Sequence, residues 1–253
     1  MSNAVPRLLN TMTFLWQRTR IVSYPNSGRT WLRVMLAELG ARLRFTHAQS
    51  KFRLALMPGE IGLGMEAFRH RRVLLLVREP KDTAASNYHQ VTRTEKRWQG
   101  DFKTFIRNPN YGFERIVAFN CAWIGAGQSF HRGFHLEFYE DMRAGSEAAL
   151  GRIVGFLNIA GVSDADIRTV AERNQFDQMK SRENSGELFK DHGDRFTPSS
   201  VEDPNQRKVR RGRIGGFTED MDAEDIAYCD AILDRYDYAA VIAKARREAG
   251  YLA

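Results

Sequence analysis

At 253 residues, with 43% apolar and 27% charged side chains, the chain has ordinary globular composition, enough for one large or two small domains. It has no internal repeat, no low-complexity run and no stretch near the ~18 apolar residues of a membrane span, which sets aside repeat, disordered and membrane-inserted proteins. The net charge of +7, with basic runs at 69–72 (RHRR) and 207–213 (RKVRRGR), points to an anionic partner without saying which: nucleic acid, a phosphorylated small molecule, or only solvent over a basic face.

The first twenty residues, MSNAVPRLLNTMTFLWQRTR, are interrupted by Asn10, Thr11 and Thr13 and lack the unbroken apolar core of a secretion signal. Residues 1–19 read as an extension ahead of a cytoplasmic domain. Cys121 and Cys229 are far apart and show no metal-type spacing to any histidine. They read as two reduced core thiols, in keeping with a reducing compartment.

Arg20 to Tyr24 reads as a strand, Thr30 to Leu39 as a helix stopped by Gly40 at a C-cap position, and residues 42–46 (RLRFT) as a short strand. RRVLLLVR (71–78) is the strongest strand signal, and its unbroken apolar run predicts a strand buried on both faces of a parallel sheet. Pro80 suits the first turn of the helix that follows, PKDTAASNYHQV. Residues 111–130 read as a helix, 133–139 as a strand and 147–161 as a helix ending in glycine. Residues 181–206 are polar, turn-rich and without periodicity, and read as a mobile lid; the last helix spans about 223–248. Alternation of strands and helices predicts an α/β fold with a central, mostly parallel sheet flanked by helices. Ligands of such sheets sit beyond the C-terminal strand ends. The loop SYPNSGRTW (23–31), the REP turn and Tyr139 all lie at such ends.

SYPNSGRTW joins a strand to a helix, where unpaired first-turn amides hold phosphate. Against the ATP-binding pattern G-x-x-x-x-G-K-S/T it is a near miss: Ser23 replaces the first glycine and Arg29 the lysine, while Gly28 and Thr30 are in place. An ATP–magnesium enzyme of this kind usually has a second apolar strand ending in a metal-holding aspartate. Here VLLLV ends in Arg78, a cation that repels magnesium and attracts phosphate. Two phosphate-like groups met by protein cations and amides would account for both ends.

The pattern resembles the cytosolic-type sulfotransferases that use 3′-phosphoadenosine 5′-phosphosulfate (PAPS). SYPNSGRTW is similar to their 5′-phosphosulfate loop, S/T-Y-P-K-S-G-T-T-W; VREPKDTAASNYH to their 3′-phosphate motif, R-N-P-K-D-x-x-x-S-x-Y-H; VRRGRIGGF to their C-terminal R-K-G-x-x-G; and FYEDM to the segment carrying an adenine-contacting tyrosine. The four motifs keep the family's order over residues 20–217. The resemblance implies one sulfotransferase domain over residues 1–253, with a P-loop-like three-layer fold, the donor PAPS and the product adenosine 3′,5′-bisphosphate (PAP). It implies that loop amides from Asn26 through Ser27, Gly28, Arg29 and Thr30 to Trp31, with the Thr30 hydroxyl, hold the 5′-phosphate. Arg78 and Ser86 would bind the 3′-phosphate, and Arg210, Arg211 and Gly212 would close over it. Trp31, Tyr139 and Phe176 would form the adenine pocket.

The family's base is a histidine in K-T-H; the match here is FTH, which makes His47 the expected general base. Asn26 stands where the family has a lysine on the phosphosulfate, and Phe45 where many members have another. Arg29 is the expected substitute, stabilising the leaving phosphate. No metal-ligand cluster is present in the sequence, and the expected reaction needs no metal. The acceptor is a hydroxyl or amine on a small molecule, glycan, lipid or peptide; a nucleic-acid partner is not expected. Trp98, Phe102, Phe105 and Tyr111 either line an acceptor pocket or pack as ordinary core. The lysine that opens the family's dimerisation motif is missing from GFTEDMDAED. The alternatives are a kinase or ATPase with a degenerate loop, and a PAP-binding pseudoenzyme.

Overall fold

A computed structural model describes residues 18–47, 65–94, 97–196, 207, 209 and 212–249. Four strands, β1 (Thr19–Ser23), β2 (Arg44–Thr46), β3 (Arg72–Val77) and β4 (Phe134–Phe138), form one sheet in the order β2-β1-β3-β4, with every neighbouring pair parallel. Among the described residues the α-helices are α1 (Arg29–Glu38), α2 (Pro80–His89), α3 (Phe102–Arg107), α4 (Phe113–Gly125), α5 (Tyr139–Ala144), α6 (Ser146–Leu157), α7 (Asp164–Arg173), α8 (Phe176–Asn184), α9 (Glu187–His192), α10 (Ala223–Arg235) and α11 (Tyr238–Glu248).

The unbroken run of β3 is explained by burial on both sides. Val73, Leu75 and Val77 face a core built with α2, α3, α4, α10 and α11, whereas Leu74 and Leu76 face a second core built with α1, α6 and α7. Side chains alternate across a strand, so a strand covered by helices on both faces has no polar position to offer. All five residues are at most 1% exposed. This is the expected three-layer α/β fold. Strand order reverses between β1 and β3: the chain leaves β1 toward β2 on one side and β3 toward β4 on the other. The crevice at that reversal, beyond the strands' C-terminal ends, is where such sheets bind ligands.

Some elements differ from the sequence-based expectation. The C-terminal helix is two helices, because Asp237 takes a φ of 47° and turns the chain, so that α10 and α11 both reach the core beside α4. Tyr139 is the first residue of α5, not the end of a strand. Residues 181–196, polar and without apparent periodicity, are largely helical. Two things hold this segment: Leu188 and Phe196 are buried in a small apolar cluster with Val34 and Met179, and a buried polar network lies beside them. Arg182, 7% exposed, donates to Glu38 at 2.7 Å, to Glu187 at 2.8 Å and to Asn174 at 2.9 Å. Residues 197–206 of that segment lie outside the described ones. α7 begins with a capping box between Ser163 and Asp166.

Phe105 is fully buried and stacks on Tyr111 at 6.1 Å, with Trp98 edge-on to both, and Phe102 is 9% exposed in the same core. These four rings are therefore packing and do not line the cavity described below. Cys121 and Cys229 are buried free thiols, and burial pushes both up to about 12. Among the described residues no helix is long and apolar enough to cross a membrane.

Candidate active site

The crevice at the reversal opens into a cavity of about 340 Å³. Its first wall is the loop from β1 to α1. Asn26 and Gly28 take left-handed φ values of 67° and 89°, which bring the chain around to start α1 at Arg29. No side chain caps α1 and no acidic residue occupies its first turn. The amides of that turn, with their partial positive charge, are left to an outside acceptor. Gly28 is required by closeness as well as by φ. A Cβ there would lie 2.4 Å from Cδ2 of Tyr139.

Tyr139 is the hinge of the site. Its ring packs beneath Gly28, meets Trp31 edge-on at 5.9 Å, and has the Arg78 guanidinium 4.6 Å from its centroid. Arg78, the residue after β3, donates through Nη1 to the carbonyl of Asn26 at 3.2 Å. Its Nε is buried and has no partner among the described residues. A buried guanidinium N–H without an acceptor is costly, and an anion in the cavity would satisfy it.

Trp31 is fixed by its indole N–H, which donates to the carbonyl of Asn174 at 2.7 Å. The same polar network that orders α8 thus orients a cavity wall. Phe176 begins α8 and lies under Gly212, where a Cβ would approach its Cε2 to 2.0 Å. Arg143, one turn after Tyr139 on α5, sits 4.7 Å over the Phe176 ring. Trp31, Tyr139 and Phe176 therefore line one cavity as three aromatic walls with two arginines among them.

His47 follows β2, and its Nδ1 lies 2.8 Å from the carbonyl oxygen of Ser23 at the end of β1. A carbonyl only accepts, so Nδ1 carries the hydrogen and Nε2 carries the lone pair. The ring lines the cavity with its basic nitrogen defined by the backbone. Arg29 also lines it. Burial first, then the nearby guanidiniums of Arg33 and Arg195, pull its pKa down to about 10. Among the described residues no carboxylate pairs with Arg29. Six arginines and two carboxylates border the cavity, and both carboxylates are engaged within the protein, Asp82 by backbone amides and Asp220 by His89. The field inside is that of an anion site.

The structure brings together Asn26, Gly28, Arg29, Thr30, Trp31, His47, Arg78, Ser86, Tyr139, Phe176 and Gly212 as cavity lining. Ser27 is 2% exposed and does not line it, leaving only its main chain to serve the loop. The Asn26 side chain is held by Asn87, its Nδ2 donating to Oδ1 at 3.2 Å. Arg210 and Arg211 lie outside the described residues. Asp82, His89, Arg143 and Arg195 also line the cavity, and the motif reading did not single them out as ligand contacts. Arg143 lies four residues after Tyr139 on α5, where helical residues four apart share a face, and the expectation that Tyr139 ends a strand concealed it. Arg195 had no motif to mark it: it reaches the cavity because Leu188 and Phe196 on either side of it are buried against Val34 and Met179.

Residues 65–242 match the sequence model of the sulfotransferase domain family. The chain belongs to that family. No curated protein matches this sulfotransferase at a significant level. Among solved structures, mouse sulfotransferase SULT7A1 complexed with PAP is similar over 93% of this chain and 89% of its own, with 18% identity and a TM-score of 0.63. Retinol dehydratase complexed with retinol and PAP is similar over 91% of this chain and 85% of its own, with 16% identity and a TM-score of 0.59. A second retinol dehydratase structure, with androsterone and inactive cofactor PAP, gives 90% and 84% coverage, 15% identity and a TM-score of 0.58. At these identities the likeness establishes the P-loop-like α/β fold of this sulfotransferase.

Proposed function

We propose that this sulfotransferase takes its sulfuryl group from PAPS and transfers it to a hydroxyl or amine, with His47 as general base. The observation that carries the reading is Arg78: a guanidinium at the end of the central strand, with a buried Nε lacking a partner, facing a cavity that has an uncapped helix start and three aromatic walls. That combination fits a nucleotide with phosphate at both ends of its ribose. The α1 amides and Thr30 hydroxyl would hold the 5′ side, Arg78 and Ser86 the 3′-phosphate, and Trp31, Tyr139 and Phe176 the base. Arg210, Arg211 and Gly212 would close the 3′ side. The crystallised neighbours contain PAP, and the lining residues here suit that nucleotide.

PAPS supplies an activated sulfuryl group when bound. The protein's own part is to orient, deprotonate and neutralise. His47 Nε2 accepts the acceptor's proton as its oxygen or nitrogen forms the bond to sulfur, and the Ser23 carbonyl holds the imidazolium that results. Arg29 stabilises the negative charge that builds on the leaving phosphate, replacing the lysine absent at Asn26. The tie from Asn26 to Asn87 supports this division of labour, because it commits the Asn26 side chain to the scaffold.

Calorimetric titration tests the donor. PAP should bind in EDTA, and Arg78→Ala should weaken that binding by roughly 10- to 100-fold. Binding of ATP or ADP only with magnesium, and no binding of PAP, would overturn the reading in favour of a kinase or ATPase. Donor binding without turnover against any hydroxyl or amine panel would favour a PAP-binding pseudoenzyme.

A further inference from the structure

The C-terminal stretch from Gly212 to Met221 lines the cavity through Gly212, Arg213, Gly216, Phe217 and Asp220 and is fastened at both ends. At one end Gly212 packs flush on the Phe176 ring. At the other, α2 holds it. Asp82 on α2 is 2% exposed; its Oδ2 accepts from the amide of Gly215 at 2.9 Å and its Oδ1 from the amide of Phe217 at 3.0 Å. Two turns further along, His89 Nε2 lies 2.8 Å from Oδ1 of Asp220. Lys81 adds a cation 5.3 Å from the Phe217 ring centroid while paired with Asp230 at 2.5 Å.

Residues 82, 86 and 89 share one face of α2, because helical positions three and four apart stack along one side. Ser86 therefore lies between the two residues that grip the loop. The charge of Asp82 makes little sense as a ligand contact, since a carboxylate repels phosphate in a cavity otherwise lined by arginine. Its oxygens are turned to the loop amides instead, and a carboxylate accepting backbone N–H bonds makes strong, charge-assisted contacts.

We propose that Asp82 is a positioning residue for donor selection: by holding the loop amides of Gly215 and Phe217 against α2, it sets the 3′-phosphate end of the site, so that nucleotides bearing that phosphate are preferred. The proposal rests on the PAPS reading above. It predicts an effect confined to the 3′-phosphate, because the 5′ side is built by the β1–α1 loop and does not touch Asp82.

The test compares adenosine 3′,5′-bisphosphate with adenosine 5′-phosphate by calorimetry, on the wild-type chain and on Asp82→Ala and Asp82→Asn. Losing hydrogen bonds to a charged group should weaken bisphosphate binding in Asp82→Ala by roughly 10- to 100-fold while shifting 5′-phosphate binding by less than about threefold. Asp82→Asn keeps one acceptor oxygen and should fall between. Amide hydrogen exchange at Gly215 and Phe217 should quicken in the same order. Equal weakening for both nucleotides, or unchanged selectivity with quickened exchange, would overturn the proposal, leaving Asp82 as a fold-holding residue. A wild-type chain that binds neither nucleotide, or prefers the 5′-phosphate, would overturn the donor reading and this proposal together.

Discussion

The two ends of the cavity treat charge in opposite ways. At the β1–α1 end the protein leaves cations open. Arg29 is partly buried near Arg33 and Arg195, no carboxylate pairs with it among the described residues, and α1 starts without a cap. At the α2 end Arg78 keeps a buried Nε without a partner among the described residues, but the charges behind it are already matched: Asp82 holds two loop amides, His89 holds Asp220, and Lys81 holds Asp230. The contrast separates two tasks. Uncompensated charge costs folding energy and is kept where a ligand will complete it. Compensated charge is scaffolding, which fixes where the ligand's other end must go.

Four experiments would break or sharpen that contrast. The largest effect belongs to His47. His47→Ala should lower kcat by ~100-fold or more, the usual contribution of a general base, with PAP affinity unchanged. A residual rate above roughly a tenth would end its assignment as base, given the same scale. Next comes Arg78. Arg78→Ala should weaken PAP binding by roughly 10- to 100-fold through loss of charge-assisted hydrogen bonds, and Arg78→Lys should recover only part of that loss, because a point charge replaces a fork. Equal binding by both variants and wild type would place the 3′-phosphate elsewhere.

Arg29 sharpens the open end further. Arg29→Ala should cut kcat by about 10- to 100-fold with a smaller change in PAP affinity, the signature of charge met in the transition state. Exposed Arg168→Ala is the control, and an equal loss in both would refute the substitution of Arg29 for the missing lysine. Relief of crowding among three guanidiniums makes a second expectation: the same Arg29→Ala variant should be no less stable thermally than wild type without ligand.

The smallest effect concerns Glu79, which caps α2 by accepting the Asp82 amide at 2.6 Å. Burial raises its pKa from 4.5 to about 7. Between those pH values the folded chain holds a proton that the unfolded chain has lost, so this group's contribution to stability falls as pH rises from 4.5 to about 7. Glu79→Gln keeps an acceptor for the cap and removes the titration. Its Tm should exceed wild type by roughly 2–4 °C at pH 8 and match it near pH 4, for about 1 kcal/mol of relief. Parallel Tm curves across pH would show that Glu79 ionises normally.

Much of the cavity lining was legible along the chain because it is built from short contiguous motifs. SYPNSGRTW places a turn, a helix start and an aromatic ring within nine residues, and VREPKDTAAS puts Arg78 and Ser86 on one strand end and the helix behind it. The unbroken apolar run likewise revealed the parallel sheet, since β3 is buried on both faces from Val73 to Val77. Local pattern was silent where order comes from polar contacts between distant segments. The Arg182–Glu38–Asn174 network holds α8 in helical form and aims Trp31 at the cavity, across 136 to 144 residues of chain. No window of sequence can display it, because its energy arises only when burial strips water from groups that the fold has brought together. The same holds for the grip of Asp82 on Gly215, 133 residues away. Residue type and spacing determined which chemistry this sulfotransferase carries; tertiary packing decided which charges stay open to a ligand and which are closed within the protein.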